Sequence, residues 1–251
     1  MKLFCTDLDN TLIYSYKREI GEQKRSVEIY KGREVSFMTE KSFQLLRKLS
    51  EKIMIVPVTT RSVEQYQRIN LGIGIPKYAL TCNGGVLFAE GRRDEEWYGE
   101  SREMVKECLE ELEKAIQILN YDKDRSMEVR FIEELFVFTK SEKPEYTIHK
   151  LREKLNLSKI DIFQNGVKIY AVPKSLNKGN AVKRLKEKLH PEFIIAAGDS
   201  EFDLTMLKEA DMAIVPELLA KKYFIKQNYI TIEKEKIYSD RLLGYIMEAV
   251  E

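Results

Sequence analysis

Short apolar runs recur along this 251-residue chain, each closed by polar residues and most of them followed by a helical pattern. Leu3-Phe4-Cys5 leads into Thr6-Asp7-Leu8-Asp9. Ile53-Met54-Ile55-Val56-Pro57-Val58 leads into Thr59-Thr60-Arg61, and Phe193-Ile194-Ile195-Ala196-Ala197 into Gly198-Asp199. Runs this short and this apolar predict strands buried on both faces. Strand alternating with helix predicts a parallel sheet with crossover helices, an α/β fold of the doubly wound, Rossmann-like kind. Ligands of open parallel sheets bind beyond the C-terminal ends of the strands. Asp7, Thr59 and Asn83 all fall at such ends.

The alternation breaks after Gly85 and resumes at Ser175. Between them, paired strand patterns are expected at Val86–Phe88 with Glu95–Tyr98, at 127–130 with 136–139, and at 160–163 with 167–172. The last pair is a hairpin turning on Asn165-Gly166. A long acidic helix is expected over 101–119 and a shorter one over 144–155. This predicts an inserted α+β domain with an antiparallel sheet over residues 84–174, and a parallel core made of 1–83 and 175–251. Within the core, Tyr14–Ser36 reads as a polar loop carrying at most a short hairpin. Helices are expected from Thr39, from Ser62, from Asn177, over 218–224 and over 239–250, and Tyr78–Cys82 is expected to be a further strand.

Lys and Arg number 42 against 41 Asp and Glu. This balance offers nothing to attract a nucleic acid. No apolar run approaches the length of a membrane span, and too few residues precede Asp7 to hold a secretory signal core. A cytoplasmic protein with neither nucleic-acid nor membrane partner is expected, and the oligomeric state is not legible. Cys5, Cys82 and Cys108 are far apart and odd in number, which suits buried reduced thiols. His149 lies in a charged helical stretch and His190 precedes a proline, so both read as surface or capping residues. Trp97 reads as packing within the insert.

Asp7 and Asp9 are separated by one residue, so both can point to one side of an extended segment. Asp199 and Asp203 close another strand. Two like charges about 4 Å apart repel by roughly 4 kcal/mol at an effective dielectric near 20, so four carboxylates at one site require protons or a cation. An all-oxygen set suits Mg²⁺. Thr59 and Lys178 add a hydroxyl and a fixed cation, which a transferring phosphoryl group needs as charge moves onto its oxygens. In this reading Asp7 stays ionised and attacks phosphorus. Asp9, beside that charge, is protonated, donates to the leaving oxygen, and later activates water.

Asp7-x-Asp9-x-Thr11 after the first strand, Thr59 closing the next, Lys178 opening a helix, and Gly198-Asp199-x-x-x-Asp203 resemble, in order and spacing, the motifs of the haloacid dehalogenase-like superfamily. The insert resembles its type IIB cap domain. Thr59-Thr60-Arg61, Asn83-Gly84-Gly85 and Lys178-Gly179-Asn180-Ala181 resemble the Cof-type and sucrose-phosphate-phosphatase-like branch. The resemblance implies a Mg²⁺-dependent hydrolase of a small phosphomonoester, such as a sugar or polyol phosphate, working through an aspartyl-phosphate. It implies Asp7 as nucleophile, Asp9 as acid/base, and Thr59, Thr60 and Lys178 on the phosphate. The metal falls to Asp7, the Asp9 carbonyl and Asp199, with Asp203 direct or through water. Two positions depart from the pattern. Asn10 stands where Gly is usual, a turn position Asn tolerates at positive φ. Phe202 stands where Asn is usual, which leaves the role of Asp203 open.

Arg61 and Asn83 either face substrate or cap a helix and brace a loop. Asn165 and Lys168 either meet the leaving group or are solvated hairpin residues. Two other functions compete with the phosphatase: a phosphotransferase of the phosphomannomutase type, and a non-enzymatic phosphate-binding regulator on the same scaffold. The first would need a basic substrate-binding run in the insert, which is not seen. The second fits poorly with four complete motifs.

Overall fold

A computed structural model of the protein describes residues 1–223, 229–233 and 237–250. The chain divides into two compact units, Met1–Asp94 with Lys178–Glu251, and Glu95–Asn177. In chain order the first unit begins with β1 (Lys2–Thr6), β2 (Tyr14–Ser15), β3 (Lys24–Tyr30), β4 (Arg33–Thr39), α1 (Glu40–Ser50), β5 (Met54–Pro57), α2 (Val63–Gln67), β6 (Tyr78–Thr81), β7 (Val86–Ala89) and β8 (Arg92–Arg93). The second unit holds α3 (Glu95–Val105), α4 (Leu109–Asn120), β9 (Arg130–Ile132), β10 (Phe136–Lys140), α5 (Pro144–Lys154), β11 (Ile160–Asn165) and β12 (Lys168–Pro173). The first unit then resumes with α6 (Lys178–Leu189), β13 (Phe193–Ala197), α7 (Leu204–Lys208), β14 (Met212–Pro216), α8 (Glu217–Tyr223), β15 (Tyr229–Ile232) and α9 (Tyr238–Val250).

The main sheet of the first unit runs β15-β14-β13-β1-β5, all parallel. The chain leaves β1 to one side for β5 and returns on the other side for β13, so the strand order reverses at β1. Such a reversal opens a crevice at the carboxyl ends of the strands, and Asp7 follows β1 at that point. Alternate residues of each strand face opposite sides of the sheet. Phe4, Ile55, Ile195 and Ile214 share one core cluster with Phe43, Leu46 and Leu49 of α1 and Leu242, Leu243 and Ile246 of α9. Each such buried side chain contributes about 1.5–3 kcal/mol. Thr39 caps α1 by accepting from the Ser42 amide at 2.9 Å.

The segment 14–36 is more ordered than its polarity suggests. β3 and β4 form a hairpin turning on Lys31 and Gly32, both at positive φ, and β2 pairs with β4 on the other edge. Tyr78–Thr81 does not join the main sheet as a full strand. It meets β5's extension through the single Val58–Leu80 bridge and otherwise pairs antiparallel with β7, which turns across Gly91 to β8. Glu95–Tyr98, expected as a strand, is instead the first turn of α3. Glu95 and Glu96 stand where a helix N-terminus favours acidic residues, and Trp97 is buried. The helix expected over 101–119 is broken by a 3₁₀ turn, Lys106–Cys108, into α3 and α4. The units divide at Asp94/Glu95 and Asn177/Lys178, whereas the sequence patterns suggest 83/84 and 174/175; the β7–β8 hairpin stays with β6. The helix expected over 218–224 is α8 through Tyr223, and residue 224 lies outside the described residues.

In the second unit the sheet runs β11-β12-β10-β9, antiparallel throughout. Leu112, Ala115 and Leu119 of α4 and Ile148 and Leu151 of α5 pack with Val137, Ile160, Ile169 and Ala171 of the strands. The hairpin turns on Gly166 and Val167, one residue later than expected, because Asn165 and Lys168 are themselves the last paired residues. Gly166 has φ +58. Among the described residues no helix is long and apolar enough to cross a membrane.

Candidate active site

The Asp7 amide donates to the Ala197 carbonyl at 2.9 Å, so the carboxyl end of β1 is tied to that of β13. Leu8 begins a tight loop whose carbonyl accepts from the amides of Thr11, Leu12 and Ile13. Asn10 closes it at φ 61, donating its amide to Ile13. This is the left-handed conformation that a Gly would supply and that Asn tolerates.

Asp7, Asp199 and Asp203 each bring a carboxylate oxygen within 4.8 Å of the others. Lys178, from the start of α6, is fully buried among them. Its Nζ lies 2.6 Å from Asp7 Oδ1 and 2.6 Å from Asp203 Oδ1. Asp203 Oδ2 accepts from the Asp199 amide at 3.1 Å, and from the Ser200 amide and hydroxyl at 2.9 and 2.8 Å. Asp203 therefore ties the 198–203 loop together while anchoring Lys178. Gly198 makes this possible: a Cβ there would lie 2.3 Å from the Asp203 side chain. Gly179 plays a similar part beside Lys178, where a Cβ would lie 2.6 Å from the Thr205 carbonyl oxygen.

Three carboxylates face one ammonium. Burial and the neighbouring carboxylates push Asp7 up to about 7 and Asp199 up to about 8, with desolvation the largest cause for each. Burial opposes the charge on Lys178, but Asp203 and Asp7 overcome it and raise the ammonium's affinity for its proton. Fully ionised, the set would carry an excess of two negative charges, which together with the all-oxygen donor set fits a divalent hard cation.

Asp9 turns to a different partner. Its two oxygens accept from Arg61 Nε and Nη2, each at 2.8 Å. Asp9 was expected to answer mainly to the charge of Asp7; its guanidinium partner makes it one half of a bidentate ion pair. Arg61 does not cap a helix; its side chain braces the loop that carries Asp9 against Glu28 of β3. Ser62 is the cap of α2, through a reciprocal bond pair with Gln65. The other edge of Arg61 donates from Nη1 to Glu28 Oε2 at 2.8 Å. Glu28 is almost wholly buried, accepts from the Ser36 hydroxyl at 2.6 Å, and is held on its other oxygen by Arg68 Nη2 at 3.1 Å. Glu28 escaped the sequence reading because it lies in the polar stretch 14–36, and its two arginine partners are 33 and 40 residues away.

Thr59 is fully buried and follows β5. Its hydroxyl accepts from the Arg61 amide at 3.1 Å. The Asn83 amide donates to the Thr59 carbonyl at 3.0 Å, and the Cys82 amide to that of Arg61 at 2.8 Å. Cys82, Asn83 and Gly84 are all left-handed, φ 54, 59 and 90, so the 82–84 turn clasps the 59–61 loop through its backbone. Thr60 is half-buried. Asn165 and Lys168 are exposed at the end of the β11–β12 hairpin in the second unit.

The model of the haloacid dehalogenase-like hydrolase family matches residues 92–217, half of the chain. The protein belongs to that family. The stretch includes Lys178, Asp199 and Asp203 of the hydrolase's carboxylate cluster. Part of the hydrolase is 35% identical to phosphoglycolate phosphatase of Methanobrevibacter smithii, across 32% of this chain and 38% of that protein. The shared stretch thus spans well under half of that relative. In fold the hydrolase is similar to the sucrose-phosphatase of Synechocystis sp. PCC6803, solved with sucrose and phosphate, with TM-score 0.66 and 18% identity over 98% of this chain and 96% of that one. It is also similar to the IMP-bound IMP-nucleotidase of Plasmodium falciparum, with TM-score 0.61 and 16% identity over 98% of this chain and 68% of that one.

Proposed function

We propose that this hydrolase is a Mg²⁺-dependent phosphatase of a small phosphomonoester, of the branch with a type IIB cap, in which the inserted unit, residues 95–177, supplies the cap and the remainder the catalytic core. The observation that carries the reading is the set of buried Asp7 and Asp203 and half-buried Asp199 around Lys178, at the point where the parallel sheet reverses its strand order. Two relatives that act on phosphate esters, by their names, support the substrate class.

Asp7, the Asp9 carbonyl and Asp199 would hold Mg²⁺, which neutralises carboxylate charge and shields the phosphate as it is attacked. Asp203, whose oxygens already take four donors, would serve that site through water or by anchoring Lys178. Asp7, kept ionised, attacks phosphorus to give the aspartyl-phosphate. Lys178 and the hydroxyls of Thr59 and Thr60 stabilise charge on the transferring oxygens. To act as acid, Asp9 would free one oxygen from Arg61 and take up a proton from solvent, deliver it to the leaving oxygen as the P–O bond breaks, and then take one from the water that opens the intermediate. Arg61 keeps its carboxylate turned toward that work, and Asn83 supports the loop carrying Thr59 and Arg61. Asn165 and Lys168, at the exposed hairpin end of the second unit, are offered to the leaving group.

A panel of phosphate esters with Mg²⁺ and with EDTA tests the reading. Hydrolysis that EDTA removes and Mg²⁺ restores is expected. Transfer of the phosphoryl group to a sugar hydroxyl with no release of phosphate would make the protein a mutase, and phosphate binding without turnover would make it a regulator.

A further inference from the structure

The chain of contacts Asp9–Arg61–Glu28–Arg68 has a buried carboxylate at its centre. Glu28 is 3% exposed, and it belongs to β3, outside every motif of the cluster. A buried carboxylate left without partners is strongly disfavoured. This one takes three donor groups: Ser36, Arg61 and Arg68. These partners hold it below the usual carboxylate range, against the opposing effect of burial. Its placement is specific. The β3–β4 pairing shifts register on either side of Glu28. Glu28 stays paired with Ser36 of β4 and also bridges antiparallel to Ile69, and the Asn70 amide donates to the Val27 carbonyl. The irregular strand is thereby fastened to the loop after α2, the helix that follows Arg61.

A guanidinium is a planar fork. When Nη1 is fixed on Glu28, the plane of Arg61 is set, and Nε and Nη2 can face only one direction. That direction is occupied by the two oxygens of Asp9, each at 2.8 Å. We propose that Glu28 is a positioning residue: it orients Arg61, and through the bidentate pair holds the side chain of Asp9 in one orientation, from which it enters the reaction. The consequence for catalysis rests on the phosphatase reading above; the positioning itself does not.

Two arms keep these separable. The first is spectroscopic and needs no turnover. In ¹⁵N spectra of the intact protein, the Arg61 Nε–Hε signal, assigned through its loss in Arg61→Lys, is expected to be resolved and slowly exchanging. In Glu28→Gln, which keeps shape and removes charge, the signal is expected to move and to exchange rapidly. An Arg61 signal unchanged by Glu28→Gln overturns the proposal. The second arm is a double-mutant cycle on kcat with the ester that the panel identifies. Glu28→Gln alone is expected to lower kcat by about tenfold, with KM little changed. In an Arg61→Ala background the same change is expected to cost less than about twofold. A loss of equal size in both backgrounds would make Glu28 a structural residue acting independently of Arg61, and would overturn the proposal. If no ester is turned over by the wild type, the phosphatase reading fails, and the spectroscopic arm still decides the positioning.

Discussion

At the scale of single residues, the site is governed by unequal company. Asp7 and Asp199 crowd one another with Asp203 close by, and among the described residues it is Lys178 whose ammonium pairs with Asp7 and Asp203; Asp9 has a guanidinium of its own. This difference separates two carboxylates only one residue apart, and it suits separate duties. Asp7→Asn keeps shape and removes the proposed nucleophile, so kcat is expected to fall by at least about 10⁴-fold. Because the fold disfavours the ionised Asp7 carboxylate, the metal-free variant is expected to melt no lower than the wild type at pH 8. Activity near wild type would remove Asp7 from the chemistry. Lys178→Met has the opposite character. It leaves two carboxylates facing each other without their cation, and a loss of about 3–5 kcal/mol is expected in metal-free chemical denaturation. A loss below about 1 kcal/mol would show that the ammonium contributes little to holding the cluster.

Elements bring these residues together through close backbone approach. Gly198→Ala would place a Cβ 2.3 Å from Asp203, and the loop cannot retreat without breaking the bonds from Asp199 and Ser200. A destabilisation of about 1–3 kcal/mol is expected, together with weaker Mg²⁺ binding by titration calorimetry; unchanged stability and binding would mean that the 198–203 loop is pliant. On the hairpin of the second unit, Asn165→Ala or Lys168→Ala is expected to raise KM for the preferred ester several-fold, and to change little with para-nitrophenyl phosphate, which offers little to grip. Equal losses on both substrates would assign the hairpin to folding.

The strands after which Asp7, Thr59 and Asp199 stand were legible because their apolar runs are short, uncharged and closed by polar residues. Asn10 was legible as a turn for its tolerance of positive φ, which the structure shows at 61°. Glu95–Tyr98 was misread because Trp97 and Tyr98 favour strands, while the two glutamates before them favour a helix start, and tertiary burial of Trp97 decided the outcome. Glu28 was illegible for a different reason. It stands between Val27, which is buried, and Ile29, which is exposed, and nothing local marks an acid that a register shift turns inward to Arg61 and Arg68.

For the whole molecule, the carboxylate cluster links pH, metal and stability. The folded-state values of Asp7 and Asp199, about 7 and about 8, lie above the ordinary 3.8. Between about pH 4 and pH 8 the folded state thus binds more protons at these groups than the unfolded chain does, and stability falls as pH rises. Glu28 and Asp122 are shifted the other way, so their contribution is present above the ordinary carboxylate range and is lost only in stronger acid. Metal-free wild type is therefore expected to lose melting temperature from pH 5 to pH 8. Mg²⁺ favours the ionised carboxylates and is expected to raise the melting temperature more at pH 8 than at pH 6. A metal-free melting temperature that climbs across this window would contradict the crowding of the cluster.

The central claim is that Asp7 carries the phosphoryl group. Enzyme quenched in acid during turnover, with Mg²⁺ and the preferred ester present, is reduced with borohydride, digested and sequenced by mass spectrometry. An acyl phosphate at position 7 is expected to appear as homoserine in place of the aspartate side chain, and to be absent when Mg²⁺ or the ester is omitted. Rapid turnover with position 7 unmodified throughout, or with the modification on another carboxylate, would contradict the account.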